Sequence, residues 1–340
     1  MAFEIFNRRY TGSKNKLVPW IKEVIGKECP NCTSFCDIFA GTAVVTHGVL
    51  DLFESFTIND FLYSNEIIYN AFFGSKSYND EKIHKIAKKY RYLDLNTLEE
   101  DYVTREFGNK YFSCDDAKKI DFIRNDLEKR KDSLNKREYD ILLASLLYSL
   151  DRSANTVGHY DAYIKKPGIR NCFNYELIKP LSLCGKKIKI FREDANTLAT
   201  KVKADVVYID PPYSSRQYSR FYHVLETITK WEKPELFGEA LKPAPENVSE
   251  YSKSKAIDYF EELIVDLKAK FILVSYNNTY ASKSKSSKNK MTLEDIQRVL
   301  EKKGSTRILS IKHKAFNSGK TEFNDHKEML FITKVGVFNE

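Results

Sequence analysis

The residues best suited to chemistry follow a short apolar run from Val206 to Ile209. Directly after it come Asp210, Pro211, Pro212 and Tyr213. The run favours a buried strand, and the two prolines end it because neither can donate a hydrogen bond to a sheet. The turn would hold a carboxylate, carbonyls and an aromatic ring at the carboxyl end of the strand, where open α/β sheets bind ligands. This set suits a planar group that carries an amine, although such a turn alone is about as often only a chain reversal.

A second group of candidates lies near the N-terminus, in Tyr10-Thr11-Gly12-Ser13-Lys14. An amphipathic helix is predicted from about residue 17 to 25, and Ser13 or Asn15 would cap it. Small residues and a lysine at the start of a helix form an anion site by geometry, because backbone N–H groups point outward there. An ordinary capped helix has the same pattern, so this segment is informative only together with the others.

The first crossover of an α/β fold is predicted between residues 33 and 60. A strand at 33–37 runs into a small-residue turn, a helix follows at 44–52, and a second strand covers 56–60. Asp60 ends that strand about 20 residues after the glycine of the turn, where such folds bind ribose hydroxyls. The turn lacks the glycine patterns of dinucleotide and triphosphate sites, which disfavours nicotinamide cofactors and nucleoside triphosphates. Its candidate residues are Asp37, Phe39, Gly41 and Thr42.

Strands and helices alternate again in the second half of the chain, which predicts an α/β fold with a parallel sheet. Strands are expected at 189–191, 206–209, 271–276, 307–312 and 329–333, and helices at 221–231, 256–268 and 292–303. The first of these strands leads to Asp194 and Ala195, where a second acid would accept a hydrogen bond from an adenine amino group. We therefore predict an α/β domain at 1–68 and 187–340, and a mainly helical insertion at 69–186 with a long helix at 137–150.

Composition and charge favour a polyanionic partner. The 340 residues include 55 Lys and Arg against 47 Asp and Glu, a formal net charge of +8. No apolar run reaches the length of a membrane span, and the N-terminus lacks the order of a signal peptide, so we expect a cytoplasmic protein. Cys29 and Cys32 have zinc-like spacing without a matching second pair, so we expect no metal site.

Three polar, basic segments are candidates for contact with nucleic acid: the loops at 152–166, 214–220 and 277–290. Rings and cations interleave in the first, a mixture that nucleic-acid surfaces use. A solubilising surface loop is the alternative for 277–290, which is rich in lysine and serine. The predicted contact residues are Arg152, Asn155, His159, Tyr160, Lys165, Arg216, Tyr218, Arg220, Lys283 and Lys285.

With these motifs in hand, the chain resembles the S-adenosylmethionine-dependent, adenine-specific (N6) DNA methyltransferases of the DNA adenine methylase type. The resemblance rests on four motifs, at residues 10–14, 37–42, 194–195 and 210–213, and more weakly on Ser275-Tyr276-Asn277. Their order is that of the family's alpha arrangement, with the lysine turn first, then the cofactor turn, a target-recognition insertion and the catalytic tetrapeptide. Ala40 stands where a second glycine or another small residue is usual, and the insertion carries no family signature.

The resemblance implies a Rossmann-like methyltransferase sheet with helices on both faces and a target-recognition insertion at 69–186. Phe39 and Gly41 would pack S-adenosylmethionine, Lys14 would meet its carboxylate, Asp60 its ribose and Asp194 its adenine. Tyr10, Asp37, Thr42 and Ala195 complete the implied cofactor set.

The same resemblance implies the reaction and the partners. Asp210 and the Pro211 carbonyl would accept hydrogen bonds from the amine of a flipped adenine, and Tyr213 would stack on that base. The implied substrate is a specific sequence in double-stranded DNA, with a restriction endonuclease as a further partner. The chain has no coiled-coil heptads, which is compatible with a monomer.

Three alternatives remain open at this point. The same chemistry serves for adenine in RNA, although the size of the insertion favours duplex DNA. Methylation of the cytosine amine is less expected, because those relatives more often have serine where Asp210 stands. An inactive nucleic-acid-binding protein on the same fold is the third alternative, and intact Asp60, Asp210, Tyr213 and Gly41 argue against it.

Overall fold

A mixed β-sheet positions the strand ends that the sequence singles out. The computed structural model describes residues 2–165, 168–183, 185–278, 289–312 and 327–336, and within them seven strands pair in the order β3, β2, β1, β4, β5, β7, β6. The strands are β1 Ser34–Asp37, β2 Ser55–Asn59, β3 Lys187–Phe191, β4 Lys203–Ile209, β5 Lys268–Asn277, β6 Gly304–Lys312 and β7 Lys327–Val335. Each predicted strand is therefore confirmed, with ends that differ by a few residues.

The direction of the strands corrects one expectation. β1 to β5 run parallel to their neighbours, but β7 is antiparallel to both β5 and β6. The expectation of a parallel sheet is thus wrong for β7, which runs opposite to the other six described strands. Antiparallel neighbours need no helical crossover, and the sequence between β6 and β7 shows no helical pattern.

The strand order creates a switch point between β1 and β4. From β1 the chain moves outward through β2 to β3, and then returns to place β4 on the other side of β1. In open α/β sheets, ligands bind in the crevice outside the carboxyl ends of the strands at such a point. Asp37 ends β1 and Asp210 follows β4, so both acids lie at the carboxyl ends that flank the switch point.

Helices cover both faces of the sheet, which confirms the predicted α/β class. Along β4 the side chains alternate, so that Val207 and Ile209 enter one core while Val206 and Tyr208 enter the other. The first core includes residues of α8 Ala195–Ala199, α11 Ala256–Asp266 and α12 Leu293–Glu301, and the second includes residues of α1 Val18–Glu28 and α2 Val44–Gly48. The predicted capping of α1 by Ser13 or Asn15 is wrong, because the helix begins later, with Leu17 as its N-cap and Pro19 in its first turn.

The sheet belongs to one of two compact units. This sheet unit comprises Gly12–Phe61, Gly185–Tyr218 and Asn247–Glu340, and the helical unit comprises Met1–Thr11, Leu62–Cys184 and Ser219–Glu246. The helical unit thus contains most of the predicted insertion, 69–186, together with three segments outside it. Segment 219–246 joins because the Glu226 carboxylate accepts hydrogen bonds from the N–H groups of Tyr63 and Ser64, at 2.9 and 2.8 Å.

The helical unit is organised around a long buried helix. The helices are α3 Tyr63–Phe73, α4 Asp80–Arg91, α5 Tyr102–Phe107, α6 Cys114–Lys129, α7 Lys136–Ser153 and α10 His223–Lys230, while α9 Tyr218–Phe221 lies where the two units meet in sequence. Asn135 and Glu138 form a capping box at the start of α7, and α3, α6 and α10 pack against it. Within the described residues, no helix has the length and apolar character needed to cross a membrane.

Candidate active site

Asp210 and Lys14 form the centre of the candidate site. Asp210 follows the last residue of β4, and its Oδ1 lies 3.0 Å from the Lys14 Nζ. The Lys14 side chain is only 4% exposed and that of Asp210 17% exposed. Burial raises the pKa of Asp210 to about 6, against the opposing effect of the Lys14 ammonium. Lys14 was predicted to bind a cofactor carboxylate. In the structure its ammonium instead faces the carboxylate of Asp210, the catalytic candidate.

Glu328 is a member of the site that the sequence did not indicate. It lies in β7 with 5% exposure, and its Oε2 is 3.7 Å from the Lys14 Nζ. Burial by itself would lower the pKa of Lys14, but the carboxylates of Asp210 and Glu328 outweigh it and raise that pKa well above the usual value. Lys14 is therefore a permanent cation between two acids.

Tyr213 and Gly12 are fitted to each other. The Tyr213 ring packs edge-on against Tyr276 at 5.7 Å, and the Lys14 Nζ lies 5.5 Å from its centre. Gly12 has φ +81°, and a Cβ at this position would lie 3.0 Å from the Tyr213 hydroxyl and 3.1 Å from the Tyr218 hydroxyl. A residue with a side chain would therefore be strained and would displace the tyrosines. Pro211 lies between Asp210 and Tyr213 in the chain and is buried. Its fixed φ stiffens the turn.

The glycine turn after β1 is held by the acid at the end of β2. Gly41 has φ +53°, and its N–H donates to Asp60 Oδ2 at 3.0 Å. The N–H of Ala40 donates to the Asn59 carbonyl at 2.8 Å, and Thr42 is buried. These bonds fix the turn against the end of β2, so Asp60 lies where the sequence predicted a ribose-binding acid.

Asp37 is a buried acid with an unsatisfied oxygen. Its Oδ2 accepts a hydrogen bond from the Thr46 hydroxyl at 2.8 Å, while its Oδ1 has no hydrogen-bond partner within the described residues. Burial raises the pKa of Asp37 to about 7, although the Thr46 hydrogen bond opposes this. Phe39, next along the turn, packs edge-on against Tyr251 at 5.0 Å. The orphan oxygen fits a ligand that brings its own N–H or O–H donor.

Asp194 and Asn59 shape the other side of the turn. Asp194 caps α8, with its Oδ1 accepting from the N–H groups of Asn196 at 2.9 Å and Thr197 at 3.3 Å, and Ala195 is buried behind it. The buried Asn59 amide donates to the carbonyls of Ile38 and Glu193 at 3.0 and 3.1 Å. Asn59 thus ties the ends of β1 and β3 together. In the sequence, only its position before Asp60 pointed to this residue.

A model of the D12 class N6 adenine-specific DNA methyltransferases matches residues 10–282. This chain belongs to that family. The modification methylase LlaI of Lactococcus lactis subsp. lactis is 34% identical over 79% of this chain, which spans only 46% of that protein. The type II methyltransferases M.NlaIII of Neisseria lactamica and M.CviAII of Paramecium bursaria Chlorella virus 1 are similar over nearly their whole length. M.NlaIII is 28% identical, with 94% of this chain and 95% of the relative covered. M.CviAII is 32% identical, with 96% and 98% covered.

The family match confirms the resemblance that the motifs indicated. Among solved structures, the methyltransferase domain of bacterial-CtHen1-C aligns with 95% of this chain and 99% of its own, at 12% identity and a TM-score of 0.39. The strand order of this chain, with its switch point between β1 and β4, shows the α/β fold without this similarity.

Two residues predicted to touch nucleic acid have structural roles in this methyltransferase. Tyr160 is 0% exposed, and its hydroxyl donates to Asp151 Oδ1 at 3.0 Å. The Asn155 amide donates to the carbonyls of Lys110 and Ile164, both at 2.9 Å, which closes its own loop. The prediction of a contact is therefore wrong for Tyr160, which has no surface to offer. For Asn155 contact with nucleic acid stays a prediction.

The other predicted contact residues differ in their exposure and in the groups that they contact. In the helical unit, Arg152 is exposed, His159 stacks on Phe221 at 4.7 Å, Lys165 is paired with Glu239, and Arg220 donates to the Pro243 carbonyl at 2.5 Å. In the sheet unit, Arg216 and Tyr218 are half-buried. Lys283 and Lys285 lie outside the described residues. Contact with nucleic acid stays a prediction for all of these.

Tyr10 belongs to the helical unit rather than to the sheet unit that carries Lys14. Its ring stacks on Tyr222 at 4.7 Å with 6° between the planes, and the Arg8 guanidinium lies 5.2 Å from the Tyr10 ring centre. The predicted role of Tyr10 in binding a cofactor stays a prediction.

Proposed function

We propose that this chain methylates the exocyclic amine of adenine within a specific sequence of double-stranded DNA. The observation that carries the proposal is the Lys14–Asp210 pair, 3.0 Å apart, at the carboxyl end of β4. It places the acid of the Asp-Pro-Pro-Tyr turn beside the switch point of the sheet, where ligands bind. The D12 family supports adenine as the base and DNA as the substrate.

The chain's own residues fit S-adenosylmethionine. Asp60 supplies an acceptor for ribose hydroxyls, Asp194 one for an adenine amine, and the orphan Asp37 Oδ1 one for a further donor. Gly41 lets the backbone approach closely at the turn. When bound, S-adenosylmethionine supplies a methyl group that its sulfonium has already activated. Lys14 is assigned to Asp210 instead of the cofactor carboxylate, because two carboxylates of the chain already face its ammonium.

Asp210 makes the target amine more nucleophilic. The lone pair of an aromatic amine is delocalised into the ring, so the nitrogen is a poor nucleophile. Asp210 and the Pro211 carbonyl accept from its two hydrogens, draw the nitrogen toward tetrahedral geometry and localise the lone pair. The Asp210 carboxylate also stabilises the positive charge that develops on nitrogen, and it is held in place by Lys14 before the reaction begins. Asp210 then takes the proton that the methylated nitrogen loses.

The target adenine must leave the duplex to reach Asp210. Flipping costs a few kcal/mol of lost stacking and pairing, and stacking on Tyr213 recovers part of it. Arg152, Arg216, Arg220 and the lysines at 165, 283 and 285 would neutralise backbone phosphates. We also propose a restriction endonuclease of the same specificity as the cellular partner, because the similar LlaI protein is named a modification methylase.

The test is transfer of a labelled methyl group to unmethylated genomic DNA and, in parallel, to total RNA. Nucleoside digestion then identifies the modified base. We expect N6-methyladenine in DNA, and Asp210→Asn as the matched control should bind S-adenosylmethionine without transferring label. Label in RNA alone would change the substrate of the proposal, and label in neither would overturn it.

A further inference from the structure

Glu328 completes a buried group of three charges. The Lys14 ammonium lies 3.0 Å from Asp210 Oδ1 and 3.7 Å from Glu328 Oε2, and the side chains of Lys14 and Glu328 are 4% and 7% exposed. Asp210 follows β4 and Glu328 lies in β7, with β5 between these strands in the sheet. One cation therefore serves two carboxylates in a region where burying a charge is expensive unless it is paired.

The proposed methyl transfer uses Asp210 but leaves Glu328 without a role. A simple Lys–Asp pair would hold the carboxylate in place at the expense of its basicity, since the cation favours the ionised form. The strength of a hydrogen-bond acceptor follows its basicity, so such a pair would be a weak acceptor for an amine. The negative charge of Glu328 opposes this effect, and it contributes to the raised pKa of Asp210.

Other ionisable groups face the Lys14–Asp210 pair. The charge of Asp210 contributes to the raised pKa of Asp37 at the end of β1. Tyr208 in β4 and Tyr213 after it lie close enough to interact with Lys14 and Asp210. Both tyrosines have a raised pKa because of burial, so they stay neutral around pH 7. Among these described groups, Glu328 is the second acid that shares the Lys14 ammonium.

We propose that Glu328 is a positioning residue for methyl transfer, which holds the Lys14 ammonium between two carboxylates and so keeps Asp210 a strong acceptor for the target amine. This inference rests on the proposed function, because the amine is that of the base. A purely structural role for Glu328 would predict only a loss of folding stability in its variants.

The decisive variant is Glu328→Gln, which removes the charge and keeps nearly the same shape. With unmethylated genomic DNA as the substrate, we expect kcat to fall several-fold, KM for DNA to stay unchanged, and the acidic limb of the pH profile of kcat to move to lower pH. Glu328→Asp should recover part of kcat. The matched control is Glu261→Gln, which breaks an exposed pair with Lys302 in the same unit and should change neither kcat nor the profile.

A second measurement does not depend on turnover. Carboxyl-carbon NMR of protein labelled at aspartate, with Asp210→Asn to assign the signal, gives the titration midpoint of Asp210 directly. The midpoint should move to lower pH in Glu328→Gln. An unchanged midpoint would overturn the inference, and so would an unchanged kcat with only a lower melting temperature. If the wild-type protein methylates no base, the proposed function fails, while the NMR titration still decides whether Glu328 sets the acidity of Asp210.

Discussion

The Nζ of Lys14 lies 3.0 Å from Oδ1 of Asp210, which joins the N-terminal lysine turn to the proline turn after β4. Each turn alone has an ordinary explanation, as a capped helix or a chain reversal. Their pairing gives the lysine a role that neither segment indicates, namely to hold a carboxylate ionised and oriented at the carboxyl end of the sheet. Because the two residues are paired, variants of Asp210 and of Lys14 distinguish effects on catalysis from effects on folding.

Asp210→Asn should abolish most methyl transfer while leaving the fold intact. The variant removes the charge that faces the target amine, and the loss of such a group costs roughly a hundredfold or more in kcat. Lys14 keeps Glu328 as a partner, so no buried cation is left alone. Circular dichroism and calorimetric titration with S-adenosylmethionine should match the wild type. A variant with normal turnover would remove Asp210 from the mechanism.

Lys14→Met should destabilise the protein strongly. It leaves the buried Asp210 and Glu328 without their shared cation, and breaking a buried pair in this way costs about 3 kcal/mol or more. The loss should shrink at acidic pH, because protonation removes the uncompensated charges. Urea unfolding at several pH values measures it. The control is Lys22→Met, which breaks an exposed pair with Asp51 and should cost under about 1 kcal/mol.

The sequence indicated the parts of this site that are local and missed those that depend on distant neighbours. Asp210, Gly41 and Asp60 follow strands whose apolar runs are visible in the chain, so their place at the sheet edge could be predicted. Glu328 could not, because its place in the site depends on pairing with Lys14 at the other end of the sequence. The antiparallel direction of β7 was missed because alternation of strands and helices does not specify the last connection.

Burial was the second quantity that the sequence could not supply. In the sequence, Tyr160 stands in a polar segment with His159, which is a typical setting for a contact residue, while the predicted loop residue Arg152 lies in the last turn of α7. The position of Tyr160 depends on Asp151 and Tyr111, which belong to helix α7 and to the segment before α6 and pack around it. An aromatic residue in a polar loop can fill a core or face a ligand, and only tertiary packing distinguishes the two.

Gly12→Ala tests the fit between the lysine turn and the proline turn. The new Cβ would lie 3.0 Å from the Tyr213 hydroxyl at a backbone φ of +81°, so we expect a loss of about 1 to 3 kcal/mol in stability together with reduced methyl transfer. Gly26→Ala is the control, since that glycine lies in α1 with nothing within 4 Å of the added Cβ. It should stabilise the protein by up to about 1 kcal/mol. Equal effects of the two changes would contradict the proposed fit.

The rate of methyl transfer should fall as the pH drops through about 6, well above the usual pKa of an aspartate. Only the ionised form of Asp210 carries the negative charge that stabilises the positive charge developing on the amine, and burial raises the pH at which that form is lost. Single-turnover rates with saturating DNA, measured across this range, give the midpoint. Asp37, whose pKa is raised to about 7, could cause the same fall in rate at acidic pH. If the fall persists in Asp37→Asn, it is assigned to Asp210. If it disappears, it is assigned to Asp37.

Tyr213→Ala and Tyr213→Phe should separate the ring from its hydroxyl. Stacking of a base on an aromatic side chain is worth about 1 to 3 kcal/mol, so loss of the ring should lower kcat/KM for DNA by roughly ten- to a hundredfold. Phenylalanine keeps the ring and its edge-on contact with Tyr276, and most of the activity should return. The measurement is labelled methyl transfer at limiting DNA, with binding of S-adenosylmethionine as the control. If the alanine variant is as fast as the wild type, the ring does not hold the flipped base. If both variants are equally slow, the hydroxyl, and with it the Gly12 contact, carries the effect instead.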